Sequence, residues 1–131
     1  MSKIEQLPKP TEAELGILNF LWEHGASTVR EVHEALYREE GAGYTTALKL
    51  LQIMFAKGLV VRDDSERAHV FRAAVSKERT QKRFLGDMVQ RVFGGSSSQL
   101  VLQALGSRPK ATQEEVDEIR ALLDKLDGTS P

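Results

Sequence analysis

Tyr44-Thr45-Thr46-Ala47-Leu48-Lys49-Leu50-Leu51-Gln52-Ile53-Met54-Phe55-Ala56-Lys57-Gly58 is the stretch on which the reading of this 131-residue chain turns. Ala47, Leu50, Leu51 and Met54 stand at i, i+3, i+4 and i+7, the spacing that puts side chains on one face of an α-helix. Thr45, Thr46, Lys49 and Gln52 fall on another face, toward the N-terminal end. Hydroxyl, ammonium and carboxamide groups bond phosphate oxygens and base edges, and a helix N-terminus itself favours a phosphate. Gly58 closes the helix, because a residue without Cβ enters the left-handed conformation freely. Many amphipathic helices look like this, and position in the chain singles this one out. It is the third predicted helix, and residues 59–62 and 69–73 after it read as two short strands joined by a polar turn. Three helices and then a hairpin is the order of a winged helix-turn-helix, with this stretch as its recognition helix.

The rest of the chain falls into place around it. Residues 1–10, with Pro8 and Pro10, form a polar lead-in arm. Thr11 with Glu14 makes a capping box for a first helix to about residue 24, ended by Gly25. Leu15, Leu18 and Trp22 give its buried stripe, widened by Leu21. Thr28 with Glu31 is a second capping box, for a helix to about residue 38 with Val29, Val32, Ala35 and Leu36 inward. Gly41 and Gly43 in the next turn are free to take positive φ.

Beyond the hairpin, Ser76 is placed to cap a helix to about residue 93, stopped by Gly94-Gly95. Its apolar positions are Phe84, Leu85, Met88, Val89 and Val92. Ser96 with Gln99 opens a short helix carrying Leu100, Val101, Leu102, Ala104 and Leu105, ended by Gly106. Thr112 with Glu115 opens the last, carrying Val116, Ile119, Leu122, Leu123 and Leu126 up to Gly128. The fold class expected is mainly α with a small β-hairpin wing. A winged domain would occupy residues 1–75 and three further helices residues 76–131. Three helices make a thin core for an independent monomer, and the short one is apolar nearly all round. This half therefore reads as a dimerisation region. The residues expected at the interface are Leu85, Met88, Val92, Leu100, Val101, Leu105, Ile119, Leu122 and Leu123.

Charge argues the other way from a nucleic-acid partner. The net charge is −1, and residues 1–75 hold nine Lys/Arg against eleven Asp/Glu. The basic footprint of a DNA-binding domain is absent, so contact must rest on local arrangement, with dimerisation supplying affinity. The same acidity motivates an alternative: a winged-helix module that binds a protein partner and no DNA. At 40% hydrophobic and 28% charged, the composition is that of a globular chain. No apolar run approaches the roughly 18 residues of a membrane span, and the N-terminus shows no secretory signal, so no membrane insertion is expected. Cysteine is absent, which excludes disulfides, thiolate metal sites and a cysteine nucleophile. A cytoplasmic location follows as the simplest expectation. His24, His33 and His69 lie on two helices and a strand with no i, i+4 pair, so no metal is expected. No nucleophile elbow, P-loop or dinucleotide fingerprint occurs, so neither an enzyme nor a cofactor is expected.

The ordered motifs carry a resemblance. They are Thr11-Glu12-Ala13-Glu14-Leu15 with Leu21-Trp22, Tyr44-Thr45-Thr46 and Lys57-Gly58-Leu59-Val60. They continue with Arg67-Ala68-His69-Val70-Phe71, Val92-Phe93-Gly94-Gly95, Leu100-Val101 and Glu114-Glu115-Val116-Asp117-Glu118-Ile119. By these motifs the chain resembles the BlaI/MecI family, the penicillinase and methicillin-resistance repressors, in a match that covers residues 7–127. The resemblance implies a homodimeric repressor whose winged helix reads a palindromic double-stranded operator. It also implies a sensor-protease pathway of the beta-lactam-signalling type that cuts the fifth helix between an Asn and a Phe. The corresponding bond here is Gln103–Ala104, a departure that puts the same protease specificity in doubt. The cysteine cluster of copper-responsive relatives is missing.

In that frame Thr45, Thr46, Lys49 and Gln52 are the expected DNA contacts, with Arg67 and His69 reaching phosphate from the wing. Thr46 also stands where a cap would. Tyr44 either reaches a phosphate or braces the turn. Leu48 is placed to touch a thymine methyl group, and Ile53 and Phe55 to pack on the wing or another helix. The acidic tip at Asp63, Asp64 and Glu66 is repelled by phosphate and is expected to point away.

Overall fold

The computed structural model describes residues 7–65, 67–107 and 110–128. Residues 1–6 of the lead-in arm and Glu66 of the acidic tip lie outside them. Helix α1, Glu12–His24, starts at Thr11, whose hydroxyl accepts from the Glu14 N–H at 3.2 Å while the Glu14 carboxylate accepts from the Thr11 N–H at 2.9 Å. Gly25 ends it at φ 82°. Strand β1, Ser27–Thr28, leads directly into α2, Val29–Leu36, which Thr28 and Glu31 open with a second reciprocal box. Helix α3 is Tyr44–Lys57, and Gly58 closes it in the left-handed conformation at φ 85°. Only Gly41 of the two turn glycines takes positive φ, because Gly43 sits at the N-cap of α3 with φ −78°.

Strands β2, Val60–Asp63, and β3, Val70–Ala73, form the hairpin, and β1 joins its other edge to give the order β1-β3-β2, all antiparallel. Phe71 is paired with Ser27 on one side and Arg62 on the other. Two residues are too few to carry a period, so β1 left no trace in the hydropathy pattern.

The core draws on every element of this part. Ile17, Leu18 and Leu21 come from α1, Val29 and Val32 from α2, and Ala47, Leu51 and Met54 from α3. Leu59, Val60 and Phe71 close it from the hairpin side, with Phe71 only 1% exposed. The α1 face is rotated from the one expected. Ile17 is fully buried, whereas Leu15 and Trp22 are half-buried. Ala35 is exposed rather than inward, since α2 turns only Val29 and Val32 fully into the core. Trp22 keeps its indole N–H satisfied by donating to the Val75 carbonyl at 3.0 Å.

A charged pair crosses the same unit. Glu14 is 2% exposed, and the Lys57 ammonium donates to its two oxygens at 2.8 and 3.0 Å. Burial pushes the Glu14 pKa up, but the Lys57 ammonium and the Thr11 backbone N–H outweigh it and hold the carboxyl below its usual value. Lys57 is the last residue of α3 and Glu14 lies in the first turn of α1, so the pair ties the end of the predicted recognition helix to the start of the fold.

Three more helices follow: α4, Lys77–Arg91, α5, Ser97–Gly106, and α6, Gln113–Asp127. Ser96 caps α5 through the Gln99 N–H, and Thr112 with Glu115 makes a third reciprocal box on α6. Gly106 lies inside α5, and Ser107 caps it. The chain divides into two compact units that meet within α4, one through Gly86 and one from Asp87. Thr80 in the first half of α4 is buried, its hydroxyl donating to the Ser76 carbonyl at 2.7 Å. Neither α5 nor α6 buries a single residue.

Candidate nucleic-acid interface

The N-terminus of α3 has no side-chain cap. Gly43 occupies the N-cap and offers no side chain, and the Thr46 N–H is satisfied by the Gly43 carbonyl at 3.0 Å. The capping role expected of Thr46 therefore does not arise: it lies three residues inside the cap, with its side chain in solvent. Amides at the start of a helix carry partial positive charge and accept an anion readily. Downstream, Thr45, Lys49, Gln52 and Ala56 stand at i, i+4, i+7 and i+11, and all four are exposed. They form one outward stripe opposite Ala47, Leu51 and Met54.

Two other elements face that end of α3. A cleft of about 490 Å³ is lined by Tyr44 and Leu48 from α3, by Thr28, Val29 and Arg30 at the start of α2, and by Arg67, Ala68, His69 and Phe71 from the wing. Tyr44, Arg67 and His69, expected separately, thus meet at one place, and Thr45, Thr46, Lys49 and Gln52 continue along the adjoining helix. Arg30 is the residue that sequence reading missed. It follows a capping box and a core valine, and nothing in its neighbours in the sequence points toward Arg67. Tyr44 is half exposed, with its ring edge-on to His33 at 6.3 Å. His33 in turn meets the Ala42 carbonyl through Nε2 at 2.9 Å, so Tyr44 lies beside the turn before α3. Leu48 is half-buried against the core while still lining the cleft.

Two of the wing's acids are paired within it. The Asp63 carboxylate accepts from the Ser65 N–H at 2.9 Å, which lowers its pKa. Asp64 pairs with Arg62 at 2.8 Å, and His69 Nε2 lies 3.7 Å from the same carboxylate oxygen. Phe55 packs on the wing, with the Arg62 guanidinium over its ring at 4.7 Å. Ile53 stays exposed on α3.

In the last three helices Leu85, Met88, Val101, Leu105, Leu122 and Leu123 are exposed, as is Val92 just after α4, while Leu100 and Ile119 are half-buried. Leu102 at 71% and Leu126 at 76% are more exposed still, and belong with them. Gln103 and Ala104 lie within α5, and both are exposed. Among the described residues, no group of three His, Cys, Asp or Glu side chains is placed to hold a metal, and no helix is long and apolar enough to cross a membrane.

Comparison with known proteins agrees with the sequence resemblance. The pattern of the penicillinase repressor family matches residues 10–125. Two proteins named transcriptional regulator BlaI, from Mycobacterium tuberculosis strains CDC 1551 / Oshkosh and ATCC 25618 / H37Rv, are each 28% identical to this chain over 128 residues. Each match covers 97% of this chain and 89% of the relative. Among solved structures, the solution structure of the DNA-binding domain of the repressor BlaI superposes with a TM-score of 0.47 at 23% identity, covering 59% of this chain and 90% of that one. The crystal structure of the transcriptional regulator Tm0710 from Thermotoga maritima gives 0.49 at 20% identity, covering 91% of this chain and 75% of that one.

Proposed function

This chain belongs to the penicillinase repressor family, and on that premise we propose that it represses transcription as a homodimer seated on an inverted-repeat DNA operator. The observation that carries the DNA reading is the junction of the uncapped α3 N-terminus with Arg30, Arg67 and His69 around one cleft. Backbone amides and cations there hold phosphate, and the stripe of Thr45, Lys49 and Gln52 enters the major groove beside them. Residues 1–75 do the reading and residues 76–131 the pairing. The two-fold axis of the dimer requires half-sites about one helical turn apart, or a multiple of that. The protein acts in the cytoplasm, without a cofactor.

The test is selection of genomic fragments by the purified protein, then titration of the selected duplex with salt. Affinity must fall as salt rises, because bound cationic side chains release counterions from DNA. An interaction indifferent to salt sinks the reading.

The dimer half rests on the apolar residues that α4, α5 and α6 leave in solvent. Pairing two weak half-site contacts raises affinity by about 10²–10⁴ through effective concentration. Loss of the dimer is then sufficient for release. A cut at Gln103–Ala104 by a sensor-protease pathway would separate α6 from the rest. The bond lies in a helix and is not the Asn-Phe bond of the beta-lactam systems, so its trigger is tested apart. A protease site engineered at residues 103–104 must abolish operator binding on cleavage. Mass spectrometry of the native protein from derepressed cells must find the chain cut, and an intact chain rules out proteolysis.

A further inference from the structure

An arginine on the wing of a DNA-binding domain is ordinarily counted as a phosphate ligand. Arg62 on β2 has other commitments. Its guanidinium lies over the Phe55 ring of α3 at 4.7 Å, within the range of a cation–π contact. Its Nε donates to the Asp64 carboxylate at 2.8 Å. The same oxygen lies 3.7 Å from His69 Nε2, just before β3. One chain of contacts therefore runs from α3 through β2 and the wing loop to the start of β3. It joins the two parts whose relative position fixes the reading surface.

We infer that Arg62 is a positioning residue, which with Phe55 and Asp64 sets the angle of the wing against the recognition helix and leaves phosphate contact to Arg67, His69 and Arg30. The inference rests on the DNA-binding reading above. It explains two sequence features that reading leaves unused. Phe55 is a large aromatic exposed on a helix whose polar stripe lies elsewhere. Asp64 is an acid placed where phosphate would repel it. Each is accounted for by the guanidinium between them. A planar guanidinium stacks on a ring and donates sideways to a carboxylate at once, which a lysine ammonium does not do.

Arg62→Lys and Phe55→Leu test this without changing net charge. The duplex is the one enriched from genomic fragments by the wild-type protein. Both variants should bind it roughly 3–10-fold more weakly, with the slope of log affinity against log salt unchanged. A phosphate ligand behaves otherwise: Arg62→Lys keeps wild-type affinity, Phe55→Leu has no effect, and Arg62→Ala makes the slope shallower by about one. That pattern overturns the inference. Amide exchange gives a readout that needs no DNA. In both variants the β2 and β3 amides should exchange faster while the α1 amides around Ile17 do not. Unaltered exchange in the hairpin overturns the brace even if affinity falls. A wild-type protein that binds no duplex would defeat the DNA reading alone, and the exchange result would still decide the brace.

Discussion

The two ends of this molecule use their apolar residues in opposite ways. Among the described residues through Val75, twelve hydrophobic side chains are buried, six of them at 0% exposure on α1, α2 and α3 alone. From Asp87 onward, α5 and α6 bury none, although their sequences are as rich in leucine and valine. Hydrophobic content is thus no guide to where a core lies within one chain. The first unit meets its own partners, through three helices crossing and a sheet closing them. The second carries apolar stripes whose counterpart is a second copy, under the dimer reading. Each unit should then respond differently to damage.

The largest effect is expected where that contrast is most exposed. Leu105→Asp or Leu122→Asp puts a carboxylate in an apolar interface without a partner, which is strongly unfavourable. Sedimentation should show a monomer, and operator affinity should drop by about 10²–10⁴, while the near-ultraviolet signal of Trp22 stays native. A variant that remains dimeric moves the interface elsewhere.

Next comes the buried pair on the other side of the contrast. Lys57→Ala strands the Glu14 carboxylate and should cost the first unit about 3 kcal/mol, read by denaturant unfolding, with the dimer intact. The pH dependence has a definite sign. Glu14 has a lowered pKa in the folded chain. Its contribution is therefore fully present above the unfolded carboxyl value and is lost as pH falls through the folded value. As pH falls below about 4.3 the gap between wild type and variant should narrow. A gap that widens on acidification would mean the pair is not what holds Glu14 ionised.

The reading face should give smaller and separable effects. Gln52→Ala should lose about 1–3 kcal/mol of discrimination at one base position if its carboxamide meets an adenine. Lys49→Ala should weaken all duplexes alike with a shallower salt slope. If both leave affinity and preference untouched, the surface lies elsewhere. The smallest effect sharpens the border between the regions. A fragment ending at residue 86 should be more stable to denaturant than one ending at 75, because Thr80 is buried and Phe84 lies under the Lys9 ammonium at 4.7 Å. Equal stability would leave α4 out of the first unit's fold.

Much of this was legible without coordinates, and for a local reason. Capping boxes such as Thr11 with Glu14 are complete within four residues, and Gly58 announces its own conformation. The order of helices and hairpin follows from such signals. What the sequence hides is pairing over distance. Glu14 reads as a cap, and its second partner is Lys57, 43 positions away. Arg30 gains its meaning from Arg67 across the cleft, and Arg62 from Phe55 on another element. Ile17 does not stand out in the sequence, because Leu15, Leu18 and Trp22 satisfy the helical period as well as Ile17, Leu18 and Leu21 do. The choice between two such faces is made by what packs against them.

The single tryptophan occupies a telling place. Its indole N–H donates to the carbonyl of Val75, where the chain leaves the sheet for α4. Emission from an indole depends on that hydrogen bond and on the solvent around the ring. The protein therefore carries a native optical reporter of the joint, needing no label and confounded by no second tryptophan. An event that reaches this carbonyl will shift its colour, and one confined to α5 and α6 will leave it native.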